Sequence, residues 1–283
     1  MRNAHLLDLL KMKIAALFVV YHPDIRQLVT NVAAVIDSVE YVLVWRNSDE
    51  NFSELTCRKK VILLGDGENR FIAYPLNQAL QWCSSHGCDF LLTMDQDSTW
   101  SDFTGFRKSV KLNRDDNIAI YAPSVNKCGI KNMGGGKLAD YQQVDFVISS
   151  GSLINVSIAQ KVGGFNSRYK IYWVDSEFCY KVRANGYKIM QFSQFSLAHH
   201  LGNPTKTLFG FFTSNYSPQI YYFIFRNMLW EHRQYGPKAV GYKCMAYTYM
   251  YNLRGILLGE KQKCRKLYKI LLASVHGLFC SYK

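Results

Sequence analysis

Apolar positions along the chain alternate between unbroken short runs and helically spaced stripes. Ile14 to Tyr21 is a continuous apolar run closed by His22-Pro23, the profile of a parallel strand buried on both faces and stopped by its proline. Ile25 to Ser38 then places Leu28, Val32, Val35 and Ile36 near helical spacing. The same reading predicts strands at Tyr41 to Trp45, Val61 to Leu64, Phe90 to Met94 and Ile118 to Ala122, and helices at Leu76 to His86 and Thr104 to Leu112. Strands alternating with helices predict an α/β domain built on a doubly wound, mostly parallel sheet with helices on both faces. Further on, Val144 to Ile148 is an apolar-rich stretch, and helices are expected from about Ser157 to Val162 and from Asp175 to Asn185-Gly186, with Gly186 as a C-terminal cap. Gly134-Gly135-Gly136 has no strand immediately before it and no Lys-Ser/Thr pair after it, so Lys131 to Lys137 reads as a loop and not as a phosphate cradle.

The 283 residues allow one large domain with an appendage. The expected division is an extension over residues 1–12, a catalytic domain over 13–203 and a helical, basic, aromatic-rich region over 204–283. The first ten residues mix charge with leucine and lack a cleavage pattern, which speaks against a secretory signal. No apolar run approaches about 18 residues, so no membrane span is expected. Eight cysteines without a C-x-x-C pair support neither a zinc ribbon nor a dithiol motif, and read as reduced cytosolic thiols.

Charge changes the picture by its position. The formal net charge is +13, and Pro204 to the end holds twelve Lys and Arg against Glu231 and Glu260, a net +10. The same region is rich in Phe, Tyr and Trp, a combination suited to lipid headgroups. From about Gly259 to Lys283, Lys261, Lys263, Arg265, Lys266 and Lys269 stand beside Leu267, Ile270, Leu271, Val275 and Leu278 at near-helical intervals. That pattern predicts a helix lying in a membrane interface; the alternative is a helix docked on the domain with a solvated basic face.

Chemistry enters where Phe90 to Met94 runs into Asp95-Gln96-Asp97-Ser98. Two carboxylates at the carboxyl end of a buried strand place hard oxygen ligands where open α/β sheets bind ligands, a location for a divalent metal carrying a phosphate. An isolated Asp-x-Asp is more often a turn or a helix cap. Six further blocks accompany it: Val19-Val20-Tyr21-His22-Pro23, Ser150-Gly151-Ser152-Leu153-Ile154, Val162-Gly163-Gly164-Phe165, Val174-Asp175-Ser176-Glu177, His199-His200-Leu201-Gly202, and Tyr221-Tyr222 followed by Arg226-Asn227. With these blocks in order from about Ile14 to Pro237, the chain resembles a family-2 glycosyltransferase with the GT-A fold, most closely the bacterial rhamnosyltransferase-like branch.

The resemblance implies roles. Asp97 would contact a Mg²⁺ or Mn²⁺ directly, with Asp95 nearer the ribose or bound through water, and His199 would be a further metal ligand, His200 being the alternative. Asp175 falls on the family's catalytic base, implying single-step inversion, with Glu177 supporting it or contacting the acceptor; as a plain residue Asp175 would be a helix N-cap. The nucleotide-sugar site would draw on Tyr21, His22, Asn47, Asn69, Asn77, Asp95, Asp97, Ser150 and Gly151. Arg226 would meet a diphosphate or an anionic headgroup, or would snorkel from an aromatic core helix. The chain departs from the pattern at Arg46, where many relatives have Asp, with Asp49 a candidate substitute. It departs also at Phe71, where a glycine is usual, at Pro75, where a small residue is usual, and at Tyr172, where many relatives have another Asp.

The expected protein is thus an inverting, metal-dependent glycosyltransferase that moves a sugar from a nucleotide diphosphate donor to a lipid-linked glycan in bacterial surface polysaccharide synthesis. It would be cytoplasmic and peripheral on the inner face of the plasma membrane, an anionic surface. dTDP-rhamnose is the first donor expected, a UDP-hexose or UDP-N-acetylhexosamine the second; a catalytically impaired GT-A protein that binds glycan or nucleotide is the remaining alternative. A sugar-nucleotide pyrophosphorylase would need a glycine-rich basic loop that Val19 to Asp24 lacks. A nucleic-acid partner is not expected, because acidic residues occupy the strand ends where ligands bind.

Overall fold

The structure, a computed structural model, describes residues 12–127, 141–199, 205–207 and 210–280. The triglycine loop, His200 and the expected domain boundary at 203/204 lie outside those residues. In chain order the elements are β1 (Ile14–Val20), α1 (Ile25–Ile36), β2 (Tyr41–Arg46), α2 (Ser53–Thr56), β3 (Val61–Leu64), α3 (Ala73–Ser85), β4 (Phe90–Asp95), β5 (Ser98–Trp100), α4 (Phe103–Leu112), β6 (Ile118–Lys127), β7 (Tyr141–Gln143), β8 (Ser152–Asn155), α5 (Val156–Lys161), α6 (Val174–Ala184), β9 (Lys188–His199), β10 (Thr205–Lys206), β11 (Phe212–Thr213), α7 (Pro218–Tyr235), α8 (Tyr242–Gly259) and α9 (Lys263–Phe279).

The main sheet runs β3-β2-β1-β4-β8-β6-β9-β5, with β7 paired to β9. Its first half is parallel: β1 sits between β2 and β4, with Ala15 opposite both Tyr41 and Leu91. All seven β1 residues are buried, as the unbroken apolar run requires. Beyond β4 the pairing becomes mixed. β8 is antiparallel to β4 and β6, β6 is parallel to β9, and β5 and β7 are antiparallel to β9. Local chemistry starts the helices: Asp24 accepts from the Arg26 and Gln27 amides, and Ser217 accepts from Ile220 just ahead of Pro218. Gly186, two residues past Ala184 at the end of α6, stands at φ +84°, the left-handed position that ends a helix.

Contacts divide the chain into two units, Met1–Phe165 with Lys181–His200, and Asn166–Tyr180 with Leu201–Lys283. The segment bearing Asp175 therefore groups with the C-terminal helices. In the first unit the core is continuous from Met12 to Leu197, so Met12, counted above with the extension, is already packed.

In the second unit α9 packs on α7 through Ile270, Ala273 and Gly277. A Cβ at Gly277 would lie 2.7 Å from Leu229 Cβ, so the close helix approach requires glycine there. Lys266, expected on the basic face, is instead buried and bonded to Glu260 at 2.7 Å. Glu260 also accepts from Tyr221 Oη at 2.7 Å and from Thr213 Oγ1. Leu271, Val275 and Leu278 remain exposed, so α9 docks by one face and leaves a second apolar stripe in solvent.

Candidate active site

In the first unit the parallel strands end together, and their ends are tied by side chains. Asp95 closes β4, Gln96 and Asp97 form the turn, and Ser98 opens β5. Gln96 bridges to β1's end: its Oε1 accepts from the Tyr21 amide at 2.8 Å and its Nε2 donates to the Tyr21 carbonyl at 3.2 Å. From α1, Asn31 Nδ2 donates to the Gln96 carbonyl at 2.7 Å. The Asp95 amide donates to Ser150 Oγ at 3.0 Å, and the Gly151 amide to the Thr93 carbonyl at 2.7 Å. Gly151 is at φ +80°, and a Cβ there would lie 2.9 Å from Leu197 Cδ2, so packing and conformation both demand glycine.

Asp97 is half-buried and makes no hydrogen bond or ion pair among the described residues. Strand register sets the His199 backbone opposite Ser98, the residue after Asp97. Among the described residues no three His, Cys, Asp or Glu side chains form a ready metal cluster. The donor set at this turn still suits a divalent ion. An unpartnered carboxylate beside a second one offers hard oxygens, and phosphate oxygens of a nucleotide would supply the remainder.

The residues expected in the nucleotide site divide by what they do. His22 stands at φ +45°, its amide donating to Ser48 Oγ at 2.7 Å and its ring bonded to Glu50 Oε1 at 2.7 Å. Ser48 Oγ donates to Glu50 Oε2 at 2.6 Å, closing a small polar network at the ends of β1 and β2. The three asparagines bond loop backbone. Asn47 donates to the Phe71 carbonyl at 2.7 Å and accepts from the Arg70 amide at 2.8 Å, while Asn69 Oδ1 accepts from the Phe71 amide at 2.9 Å. Asn77 pins Phe165 by both backbone groups, each at 2.8 Å.

Phe71 keeps the left-handed backbone of the glycine usual at its position, at φ +60°. Those bonds from Asn47 and Asn69 are what hold it there. Arg46 donates through Nη2 to the Gly65 carbonyl at 2.5 Å, and its Nε is buried with no hydrogen-bond partner among the described residues. Asp49 is exposed.

In the second unit Asp175 opens the first turn of α6 and its Oδ1 accepts from the Ser176 amide at 3.0 Å. Glu177 is fully buried, and Tyr235 Oη donates to its Oε1 at 2.9 Å. Ser176 Oγ donates to Glu231 Oε1 at 2.6 Å. Burial pushes the Glu231 carboxyl up to about 8; the Ser176 hydrogen bond opposes this, and the charges of Glu177 and Asp175 add to it. Burial likewise raises the phenols of Tyr169 and Tyr235 above the ordinary tyrosine range.

Arg226 is buried under aromatic rings, 4.1 Å from the Trp230 centroid and 5.0 Å from that of Phe223. Its Nη2 donates to the Arg168 carbonyl at 2.6 Å, and Nε and Nη2 donate to Asn227 Oδ1 at 3.0 and 2.7 Å. Desolvation lowers its pKa from the usual arginine value. Tyr172, standing where many relatives carry an Asp, sits at φ +61° with its ring edge-on to Tyr216 at 5.5 Å.

No family model matches the sequence. The dTDP-rhamnosyl transferase RfbF of Shigella flexneri is 24% identical over 285 residues, spanning 94% of this chain and 95% of that protein. Two solved structures share the architecture. GalNAc-T7 with UDP, GalNAc and Mn²⁺ superposes at TM-score 0.60 and 9% identity over 93% of this chain, which spans only 57% of its length. The mannosyltransferase PcManGT of Pyrobaculum calidifontis, in complex with GDP-Man and Mn²⁺, superposes at 0.58 and 10% identity over 94% of this chain and 87% of its own.

The chain has the GT-A fold, and along almost its whole length its sequence is similar to the rhamnosyl transferase RfbF. Within that fold, sequence reasoning gave no role to Gln96 and Asn31, which hold the Asp95–Asp97 turn, or to Asn227, Glu231 and Tyr235, which bond the segment around Asp175. Asn31 had a visible signal, a polar residue in the buried stripe of Leu28, Val32 and Val35. Glu231 had one too, as one of only two acids after Pro204.

Proposed function

We propose that the chain is an inverting, metal-dependent glycosyltransferase that takes a sugar from a nucleotide diphosphate, rhamnose first, and adds it to a lipid-linked glycan of a bacterial surface polysaccharide. The observation that carries this reading is the Asp97 carboxylate in the turn after β4, without a partner among the described residues, in a GT-A fold. The similarity to RfbF along almost the whole chain supports rhamnose from dTDP-rhamnose ahead of a UDP-hexose or UDP-N-acetylhexosamine.

In this reading Asp97 and Asp95, with His199, hold Mg²⁺ or Mn²⁺. A divalent ion there supplies Lewis-acid stabilisation of the departing diphosphate. Tyr21 and His22 frame the nucleotide at the end of β1, and Arg46 presents donors where relatives present an acid. Ser150 and Gly151 fix the Asp95 end of β4, and Arg226 acts by holding the Arg168 carbonyl. Asp175 takes the proton from the acceptor hydroxyl as that oxygen attacks the anomeric carbon opposite the leaving diphosphate, which inverts the centre. Titration calorimetry with dTDP, UDP and GDP in MnCl₂ tests the donor side: dTDP binds tightest and binding weakens sharply in EDTA. Failure of all three nucleotides to bind contradicts the reading.

The acceptor side of the proposal rests on α8 and α9. Among the described residues, eleven of the seventeen exposed large apolar side chains lie on these two helices, including Tyr268, Leu271, Val275 and Leu278 at three- and four-residue spacing on α9. Lys243, Arg254, Lys261, Lys263 and Arg265 are exposed as well. The one acid in this stretch, Glu260, is buried against Lys266. No helix among the described residues is long and apolar enough to cross a membrane. An apolar stripe with cationic flanks and no exposed acid suits the interface of an anionic bilayer.

Flotation with phosphatidylglycerol vesicles checks it. The protein rises with them at low salt, less so at high salt, and Leu271→Glu with Leu278→Glu keeps it at the bottom. Absence of binding by the intact protein at low salt removes the membrane from the account.

A further inference from the structure

Helix α7 carries three polar side chains one turn apart on a single face, Asn227, Glu231 and Tyr235. Asn227 and Glu231 are fully buried. All three bond to the short segment that bears Asp175. Asn227 Nδ2 lies 2.8, 2.9 and 2.9 Å from the carbonyls of Tyr169, Ile171 and Tyr172. Glu231 receives Ser176 Oγ, and Tyr235 reaches Glu177. Arg226 orients Asn227 through its Oδ1 and takes the next carbonyl upstream, that of Arg168. One helix face thus bonds the backbone ahead of Asp175 and the two side chains after it.

The held segment is strained. Lys170, Tyr172 and Trp173 stand at φ +60°, +61° and +63°, positive-φ conformations that side-chain-bearing residues avoid. Such geometry persists only where surrounding bonds over-determine it. Burying an amide, a carboxyl and a phenol on one stripe is also a poor choice for packing alone, since each must be desolvated.

We propose that Asn227, Glu231 and Tyr235 form a positioning scaffold that holds residues 169–177 in this strained course and thereby aims the Asp175 carboxylate. The proposal rests on the reading of Asp175 as the base. The three act through the segment and are positioning residues.

The scaffold has a pH limit. Glu231 faces Asp175 and Glu177 on α6, Tyr169 on the segment, and Tyr235 on its own helix. Its proton is held more tightly in the folded than in the unfolded chain, with a folded value near 8 against 4.5. The stability it contributes is therefore complete below about 4.5 and is lost as pH rises through about 8. Above that, a new charge lies among carboxylates and draws water into the stripe.

Arg168, just ahead of the held segment, and Lys170 within it are exposed and offer trypsin two sites. Limited digestion between pH 7 and 9, mapped by mass spectrometry, reads whether the segment is held without needing a substrate. The wild-type protein resists at pH 7 and is cut at these sites as pH passes 8, Glu231→Gln resists throughout, and Asn227→Ala is cut already at pH 7 while binding dTDP with unchanged affinity. With a donor that is turned over, Asn227→Ala and Tyr235→Phe lower kcat at least tenfold and leave the donor KM in place, and the break in kcat near pH 8 disappears in Glu231→Gln. Equal protection of Asn227→Ala and wild type, or the same pH course in Glu231→Gln, overturns the scaffold. Lack of turnover by wild type with every donor strikes the glycosyltransferase reading, and the digestion then decides the scaffold by itself.

Discussion

Asp97→Ala lowers turnover by about a thousandfold and leaves the folded protein intact. The size follows from the several kcal/mol that Lewis-acid stabilisation of a departing diphosphate is worth. The intact fold follows from the site: Asp97 lies in a turn, half-buried, with no partner among the described residues to lose. Substitutions of that kind change stability within about 0.5 kcal/mol. The wild-type enzyme should show the same deficit in excess EDTA, restored by Mn²⁺ or Mg²⁺, and the thermal midpoint of the variant should match wild type. Full activity in EDTA would remove the metal from the mechanism.

Asp175→Asn lowers kcat by roughly 10²–10⁴-fold, the range that a positioned general base contributes. The amide keeps an oxygen for the Ser176 N–H, so that bond in the first turn of α6 survives while basicity is lost. Nucleotide affinity stays near that of wild type, the pattern of a group that acts only in the transition state. A variant that loses nucleotide binding instead would assign Asp175 to the donor side. Stereochemistry gives an independent check: the product anomer is inverted relative to the donor, and retention would rule out single-step displacement.

The strands that carry the candidate site were legible because β1, β2, β3 and β4 are short apolar runs bounded by polar residues, and their ends needed no long-range information. β8 and β9 were not. Ser150-Gly151-Ser152 reads locally as a turn, and only tertiary pairing turns Ser152–Asn155 into a strand between β4 and β6. Val144 to Ile148 has strand-like residues but forms no strand, with the Val144 amide donating to the Ile189 carbonyl of β9; β7 lies just before it at Tyr141–Gln143.

At the candidate site, Asp95, Asp97 and Asp175 were visible as candidates because carboxylates at strand ends and helix starts stand out from an apolar background. Asn47, Asn69 and Asn77 stood out equally, and the hydrogen bonds by which they shape loops depend on backbone groups that a sequence does not place beside them. Asn227 and Glu231 were hidden for the converse reason. Their partners are 55 to 58 residues away in sequence, and the aromatic run around them reads as core. Of the tail, the near-helical spacing from Leu267 to Leu278 was visible; which of its apolar residues dock on α7 and which face solvent depends on Gly277 allowing the helices to close.

The central claim, that this chain transfers sugar from a nucleotide diphosphate, is tested most directly by nucleoside diphosphate release. Purified protein is given dTDP-rhamnose, UDP-glucose or UDP-N-acetylglucosamine with Mn²⁺, in the presence and absence of an octyl glycoside acceptor, and compared with Asp175→Asn and with an EDTA control. The account predicts release from at least one donor, dTDP-rhamnose first, faster with acceptor, and abolished by EDTA and by Asp175→Asn. Nucleotide binding without release from any donor above the Asp175→Asn background would contradict it and leave a GT-A protein that binds but does not transfer.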